Sequence, residues 1–235
     1  MTALSLNCDM GEGCFADPSD LAILPVVDAI NIALAAHAGD AATAKDLASR
    51  AQDQGITVHL HPSYPDRAHF GRRQLILPAA ELCAALDQQR ALLPEIRSCK
   101  FHGALYQAAT LDPALAAVLV DWMRAQDIDC VITLGDGALA ACAQQAGLTV
   151  IAEGFADRGY HQVNGRLALV PRGDARAMLD RVDAIEQRLR DLMAGQVTTT
   201  NGQRYPLQVQ TVCVHGDAPQ ALVFARAARA VLDAP

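Results

Sequence analysis

Apolar runs alternate along this chain with segments of helical period, and nearly every run ends abruptly in a cluster of groups able to do chemistry. Such alternation with short connections is the pattern of βα units feeding a mainly parallel sheet. The runs that read as strands are Ala3 to Cys8, Ala29 to Ala35, Ile56 to Leu60, Ser98 to Phe101, Asp129 to Leu134, Leu148 to Ala152 and Gln208 to Val214. Helical segments fall between them, at Ala41 to Gln54, Pro78 to Ile96, Pro113 to Gln126, Gly137 to Gln145, Ala175 to Met193 and Pro219 to Leu232; several start with Pro or Asp, and Gly55 stops the first. Thr198 to Tyr205 reads as a turn or small hairpin. No repeat, low-complexity linker or composition break divides the chain, so the economical reading is one (β/α) barrel domain over residues 1–235.

The polar clusters sit at strand C-terminal ends. The first run leads into Asn7, Asp9 and Glu12 of NCDMGEG, the second into His37 and Asp40 of AHAGD, and the third into His61, Asp66 and Arg72 of VHLHPSYPDRAHFGRR. Lys100 and His102 follow in KFHGALY, Asp157 and Arg158 in EGFADRGY together with Glu153, and His215 and Asp217 in CVHGD. In a parallel sheet all strand C-termini lie at one edge, so groups scattered over two hundred residues converge. An open doubly wound sheet uses the loops of a few strands at one switch point, whereas a closed barrel gathers all of them. Six polar ends of seven therefore favour an irregular α/β barrel of about seven parallel strands.

Each group also has an ordinary explanation. A lone histidine in a globular protein is usually a packed, hydrogen-bonded residue. Asp40 and Asp217 are well placed as helix N-caps, and Arg72 and Arg73 suit a surface ion pair as well as a carboxylate or phosphate. What these explanations leave over is the recurrence of histidine beside glycine at three strand ends, where glycine lets backbone approach a ligand and the following helix offers free N–H groups. His59 and His61, two apart on one strand, face the same side. Such a pair can bind a metal if a third ligand comes from Asp9, His37, His102 or His215; Asp9, His37 and His61 are the candidate set.

Composition narrows the function. The net charge of −7 gives no general attraction for nucleic acid or an anionic membrane surface. No basic and apolar leader precedes MTALSLNCDMGEG and no run of about eighteen apolar residues occurs, which leads to the expectation of a cytoplasmic protein. Seven cysteines without a C-x-x-C pair suggest neither a disulfide framework nor a thiolate zinc site. No G-x-x-x-x-G-K-[ST] loop is present, so any nucleotide must use an atypical site or a partner protein.

NCDMGEG, AHAGD, HPSYPD with FGRR, HGALY, FADRGY with LVPR, and CVHGD, in that order, resemble the LamB/YcsF family over essentially the whole chain. The resemblance implies a barrel of the glycoside hydrolase/deacetylase type. It also implies the A component of a 5-oxoprolinase, working with partner subunits B and C to open 5-oxoproline to L-glutamate with hydrolysis of ATP and its Mg2+. On that footing Asp9 or Glu12, with His61, is expected to activate water. Lys100, Arg72 and Arg158 are expected to hold anionic groups, with Asn7, Asp40, Asp66, Asp157 and Asp217 as further binding residues. His37, His102 and His215 are expected to polarise the carbonyl or exchange protons. The chain departs from the family pattern around His37, where ALAAHAGDA lacks the family's Cys, Gly and Pro, and at Phe101, where the family has Pro. A metal-dependent deacetylase or hydrolase acting on a carbohydrate or another amide is the alternative.

Overall fold

The computed structural model describes residues 4–13 and 16–234. Six strands alternate with helices through the first two thirds of the chain: β1 (Ser5–Met10), β2 (Ala29–Ala33), β3 (Thr57–His61), β4 (Ser98–Cys99), β5 (Cys130–Thr133) and β6 (Thr149–Phe155). Two hairpins follow, β7 (Tyr160–Val163) with β8 (Arg166–Leu169) and β9 (Gln196–Thr198) with β10 (Arg204–Pro206), and then β11 (Thr211–His215). β1 to β6 and β11 pair parallel and close into a seven-stranded barrel, with β11 inserted between β6 and β1. The expected barrel is therefore the observed one, with the last strand completing the ring.

Helices α1 (Pro18–Ile23), α2 (Ala41–Asp53), α3 (Ala79–Arg90), α4 (Gly103–Leu111), α5 (Pro113–Ala125), α6 (Ala138–Gln145), α7 (Val182–Met193) and α8 (Ala221–Leu232) complete the fold. Asp40 caps α2 by accepting from the Thr43 N–H at 2.8 Å, and Asp112 caps α5 in the same way. No single helix among the described residues is long and apolar enough to cross a membrane.

Alternation with period two decides what each face of the barrel does. Leu6, Cys8, Met10, Ile30, Ile32, Leu60, Cys99, Val212 and Val214 form the outer face and are fully buried in one apolar cluster with Leu47, Leu86, Leu119 and Ala225 of the helices. The intervening residues point inward and are mostly polar: Asn7 and Asp9, Asn31, His59 and His61, Glu153, Thr211 and His215. Parallel strands covered by helices normally read as continuous apolar runs. Here the interior of the barrel is a polar throat.

Several boundaries differ from the sequence expectation. β2 stops at Ala33 because Ala35 adopts a left-handed backbone (φ 65°), which no strand accommodates. α3 begins at Ala79 and closes at Arg90, its last turn capped at Ala91 four residues before Glu95. Residues 175–181 are not helical, because the Leu179 N–H donates to the Asp157 carbonyl and Met178 bridges Arg158, tying this segment to the loop after β6.

Candidate active site

Lys100 occupies the centre of the throat, 2% exposed, with its ammonium 2.9 Å from Asp9 Oδ1, 2.8 Å from Glu153 Oε1 and 2.9 Å from Cys213 Sγ. Asn31 Nδ2 donates to Asp9 Oδ1 at 2.8 Å and to Asn7 Oδ1 at 2.7 Å, and Asn7 in turn donates to Thr211. Burial alone would raise Asp9, but the His61 ring and the Lys100 ammonium outweigh it and hold this carboxyl well below the usual range. Burial likewise opposes the Lys100 ammonium, yet Asp9, Cys213 and Glu153 hold its pKa well above normal. One ammonium serves two carboxylates, and Glu153 is the one that burial pushes up. The Cys213 thiol is raised by burial and by Asp9, so it stays protonated.

Beside this network lie three buried imidazoles and one loop carboxylate. His37 and His102 stack face to face with ring centroids 3.8 Å apart, and His61 meets both edge-on. His61 Nδ1–H donates to the Lys100 carbonyl at 2.8 Å, and His102 Nε2–H donates to the Phe70 carbonyl at 2.9 Å. Ser63 Oγ gives its own proton to the Tyr64 carbonyl, so it accepts from His37 Nδ1–H at 2.9 Å. Ser63 is itself held at both backbone groups by Gln89 of α3. Burial lowers His37 and His102 well below the ordinary imidazole value, and the neighbouring imidazoles add to it, so both rings are neutral. Their free nitrogens face the Glu12 carboxylate, at 3.3 Å for His37 Nε2 and 3.4 Å for His102 Nδ1. Glu12 is raised by burial and by the nearby charges of Asp9 and Asp217.

Across the throat, Asp157 accepts from His215 at both the ring Nδ1–H (2.9 Å) and the backbone N–H (3.1 Å). This carboxylate, which burial alone would raise, is lowered by His215. His215 Nε2 is thereby left 3.8 Å from Asp9 Oδ2, beside a cavity of about 270 Å3. Asp9, His61, Lys100, His102, Phe155 and His215 line the cavity's inner end and Arg72, Arg158 and Arg172 its mouth. That volume lies under the roughly 300–1,000 Å3 typical of drug-sized ligands, so it suits one small molecule. Arg72 and Arg172 both approach Asp217, the latter at 3.7 Å, so cationic groups outnumber this carboxylate at the entrance.

The structure thus brings together Asn7, Asp9, Glu12, His37, His61, Arg72, Lys100, His102, Asp157, His215 and Asp217. It does not bring in Asp40, an exposed helix cap, or Asp66, which holds His69 and Arg73 beneath the loop after β3. Arg158 borders the cavity, but its guanidinium donates to the Ala177 and Val170 carbonyls. In the expected ligand set of Asp9, His37 and His61, Asp9 turns one oxygen to Lys100 and Asn31, and Glu12 is the carboxylate that meets His37. His59 faces inward as its spacing implied, but deeper, against Ser98 Oγ at 2.6 Å.

The glycines of these connections also sit against neighbouring backbone and side chains. A Cβ on Gly39 would lie 2.1 Å from the Gly11 carbonyl oxygen, and one on Gly71 would lie 2.9 Å from His37 Cβ and 3.0 Å from His102 Cδ2. They let the loops pack on one another. Asn31, Ser63 and Arg172 lie outside the sequence-derived candidates, and Glu153 and Cys213 carry no expected role; polar residues at alternate positions in LNCD, INI and TVCVH are the signal for the interior ones.

The LamB/YcsF family model matches residues 4–235. The chain belongs to the LamB/YcsF family. Among solved structures, a lactam utilization protein from Thermus thermophilus superposes with a TM-score of 0.85 at 29% identity, covering 99% of this chain and 96% of that one. A family 4 carbohydrate esterase from Streptomyces lividans, solved with acetate, gives 0.45 at 12% identity over 98% of this chain and 87% of that one. The LamB/YcsF motifs all reach the same end of the barrel, which is why their order along the chain recurs as a ring around one throat.

Proposed function

We propose that this LamB/YcsF protein opens a small cyclic amide, 5-oxoproline, to L-glutamate, as the A component of a 5-oxoprolinase complex that includes subunits B and C and hydrolyses ATP. The observation that carries the reading is the His215–Asp157 pair beside ionised Asp9 at the inner end of a cavity with a cationic mouth. In ring opening, water adds to the lactam carbon, the C–N bond breaks, and the ring nitrogen takes a proton. His215, oriented by Asp157 through Nδ1, has its Nε2 free to take the water proton and return it to nitrogen. Arg72 and Arg172 suit the substrate carboxylate in fork geometry. Lys100 fixes Asp9 and brings positive charge to the inner end, where the amide oxygen gains negative charge.

A nucleotide does not fit here: about 270 Å3 is too small for ATP, and the sequence has no phosphate-cradling glycine loop. We therefore assign ATP and its Mg2+ to the partner proteins, with no step routed through them in this chain. The likeness to the lactam utilization protein supports the substrate class.

The test is 5-oxoproline-dependent glutamate and phosphate release by the reconstituted complex, with and without this chain. Asp9→Ala and His102→Ala are expected to abolish glutamate formation, and His215→Ala to lower kcat by about 10²–10⁴-fold. Near-normal turnover in any of the three overturns the assignment. The imidazole cluster favours a second reading, metal-dependent hydrolysis of an amide without nucleotide, which predicts turnover by the isolated chain in the absence of ATP.

A further inference from the structure

The hydrogen bonds around the three imidazoles fix where their protons are. His37 Nδ1, His61 Nδ1 and His102 Nε2 each face an oxygen that can only accept, since Ser63 has already donated its proton. With one proton per ring on these nitrogens, the opposite nitrogens present lone pairs. His61 Nε2 and His102 Nδ1 confront each other at 3.0 Å, His61 Nε2 also lies 3.4 Å from Asp9 Oδ2, and His37 Nε2 and His102 Nδ1 both face Glu12 Oε1. Four groups with lone pairs thus converge on one point, an arrangement held together by a proton or a metal ion among them.

We propose that Glu12, His37, His61 and His102 form a binding site for a divalent first-row transition metal of the zinc type. All four donor atoms lie within 4.8 Å of one another. Metal–ligand bonds of about 2.0–2.1 Å in a tetrahedron place ligand atoms about 3.3 Å apart, and the separations here are 3.0, 3.3 and 3.4 Å. Three imidazoles with one carboxylate suit zinc, cobalt or nickel and disfavour magnesium or calcium, which take oxygen ligands. The outer shell is built as well: carbonyls of Lys100 and Phe70 and the Gln89-held Ser63 orient the three rings, as second-shell acceptors do at metal centres. His61 and His102 also line the substrate cavity, so a bound metal sits at its edge, where it would supply Lewis acidity. The site is inferred from the cluster alone and does not depend on what the cavity accepts.

The full chain, stripped with a chelator, is titrated with Co2+ and followed by visible absorption, then with Zn2+ by competition and elemental analysis. One equivalent should bind with the intense absorption of a four-coordinate cobalt centre, Zn2+ should displace it, and the thermal midpoint should rise. His37→Gln and His102→Gln should each weaken Co2+ binding more than 100-fold. Ser63→Ala should weaken it by about 10–100-fold through the His37 ring, and Asp46→Asn on exposed α2 should leave it unchanged. Less than about 0.1 equivalent bound by the unmutated chain at saturating Zn2+, or wild-type binding in both histidine variants, overturns the proposal. So does a nuclear magnetic resonance spectrum showing a proton held between His61 and His102 that Zn2+ does not displace. Stoichiometric metal without lactam turnover in the complex sinks the functional reading alone; lactam turnover with a chain that binds no Zn2+ or Co2+ sinks this one alone.

Discussion

The network around Lys100 and the cluster around His102 are neighbours, joined through Asp9 and His61, yet they solve burial differently. Around Lys100, one ammonium lies within reach of both Asp9 and Glu153, and the Asn31 amide donates to Asp9 and Asn7. Around His102 the outer nitrogens are satisfied by backbone and Ser63, while the inner nitrogens face Glu12 and one another, with Asp9 Oδ2 3.4 Å from His61 Nε2. In the first arrangement the cation that holds the carboxylates is a side chain of this protein. In the second the proposed metal takes that place, so the difference separates a polar core from a binding site.

Removing the cation that completes the first network should produce the largest effect. Lys100→Met leaves Asp9 and Glu153 buried without their ammonium and should cost about 3–5 kcal/mol in urea unfolding at pH 7. The cost should shrink in acid, where the carboxylates take up protons. A loss of under about 1 kcal/mol would mean that the network is not self-contained. Next in size is the pH response of His59, which burial, with the Lys100 charge adding, pushes down from 6.5 to about 4. Because the folded value lies below the unfolded one, the unfolded chain binds the proton first. Stability is whole above about pH 6.5 and declines as pH falls toward 4, by about 3 kcal/mol for this group. In chelated protein, His59→Gln should remove that part of the slope; an unchanged slope places the acid sensitivity elsewhere.

The smallest effect probes the imidazole side. Gly71 has φ +63° and sits against His37 and His102, whereas Gly147 has φ +78° and open space around it. Gly147→Ala should cost about 1 kcal/mol of backbone strain and Gly71→Ala up to about 3, with shifted His37 and His102 resonances in the second variant only. Equal losses and unshifted resonances would show that the loop does not hold the rings.

The barrel was legible because its signals are local and repeated: apolar runs such as INIA and TVCV, helix starts such as Asp40 and Asp112, and Gly55 as a stop. The end of the barrel that gathers the chemistry was legible for the same reason, since strand direction fixes it. The partition of that chemistry was not. Whether Asp9 or Glu12 meets His37 depends on the course of the NCDMGEG loop, which no periodicity encodes. The inner face required counting alternate residues in strands treated as wholly apolar, so Asn31 and Glu153 did not stand out as site residues. Helix α1 spans only six residues and was missed, although Asp17 caps it and Pro18 opens it.

Gly39 pressed against the Gly11 carbonyl, and Gly216, where an added Cβ would lie 2.4 Å from the Asp9 carbonyl oxygen, join neighbouring connections edge to edge around the opening. Barrel enzymes commonly acquire new specificities by exchanging one connection at a time on a constant frame. Here a transplanted segment must carry matching contours on both flanks, so the rim is inherited as a set, and laboratory evolution of a new substrate should begin with side chains at Arg72 and Arg172 rather than with altered loop lengths.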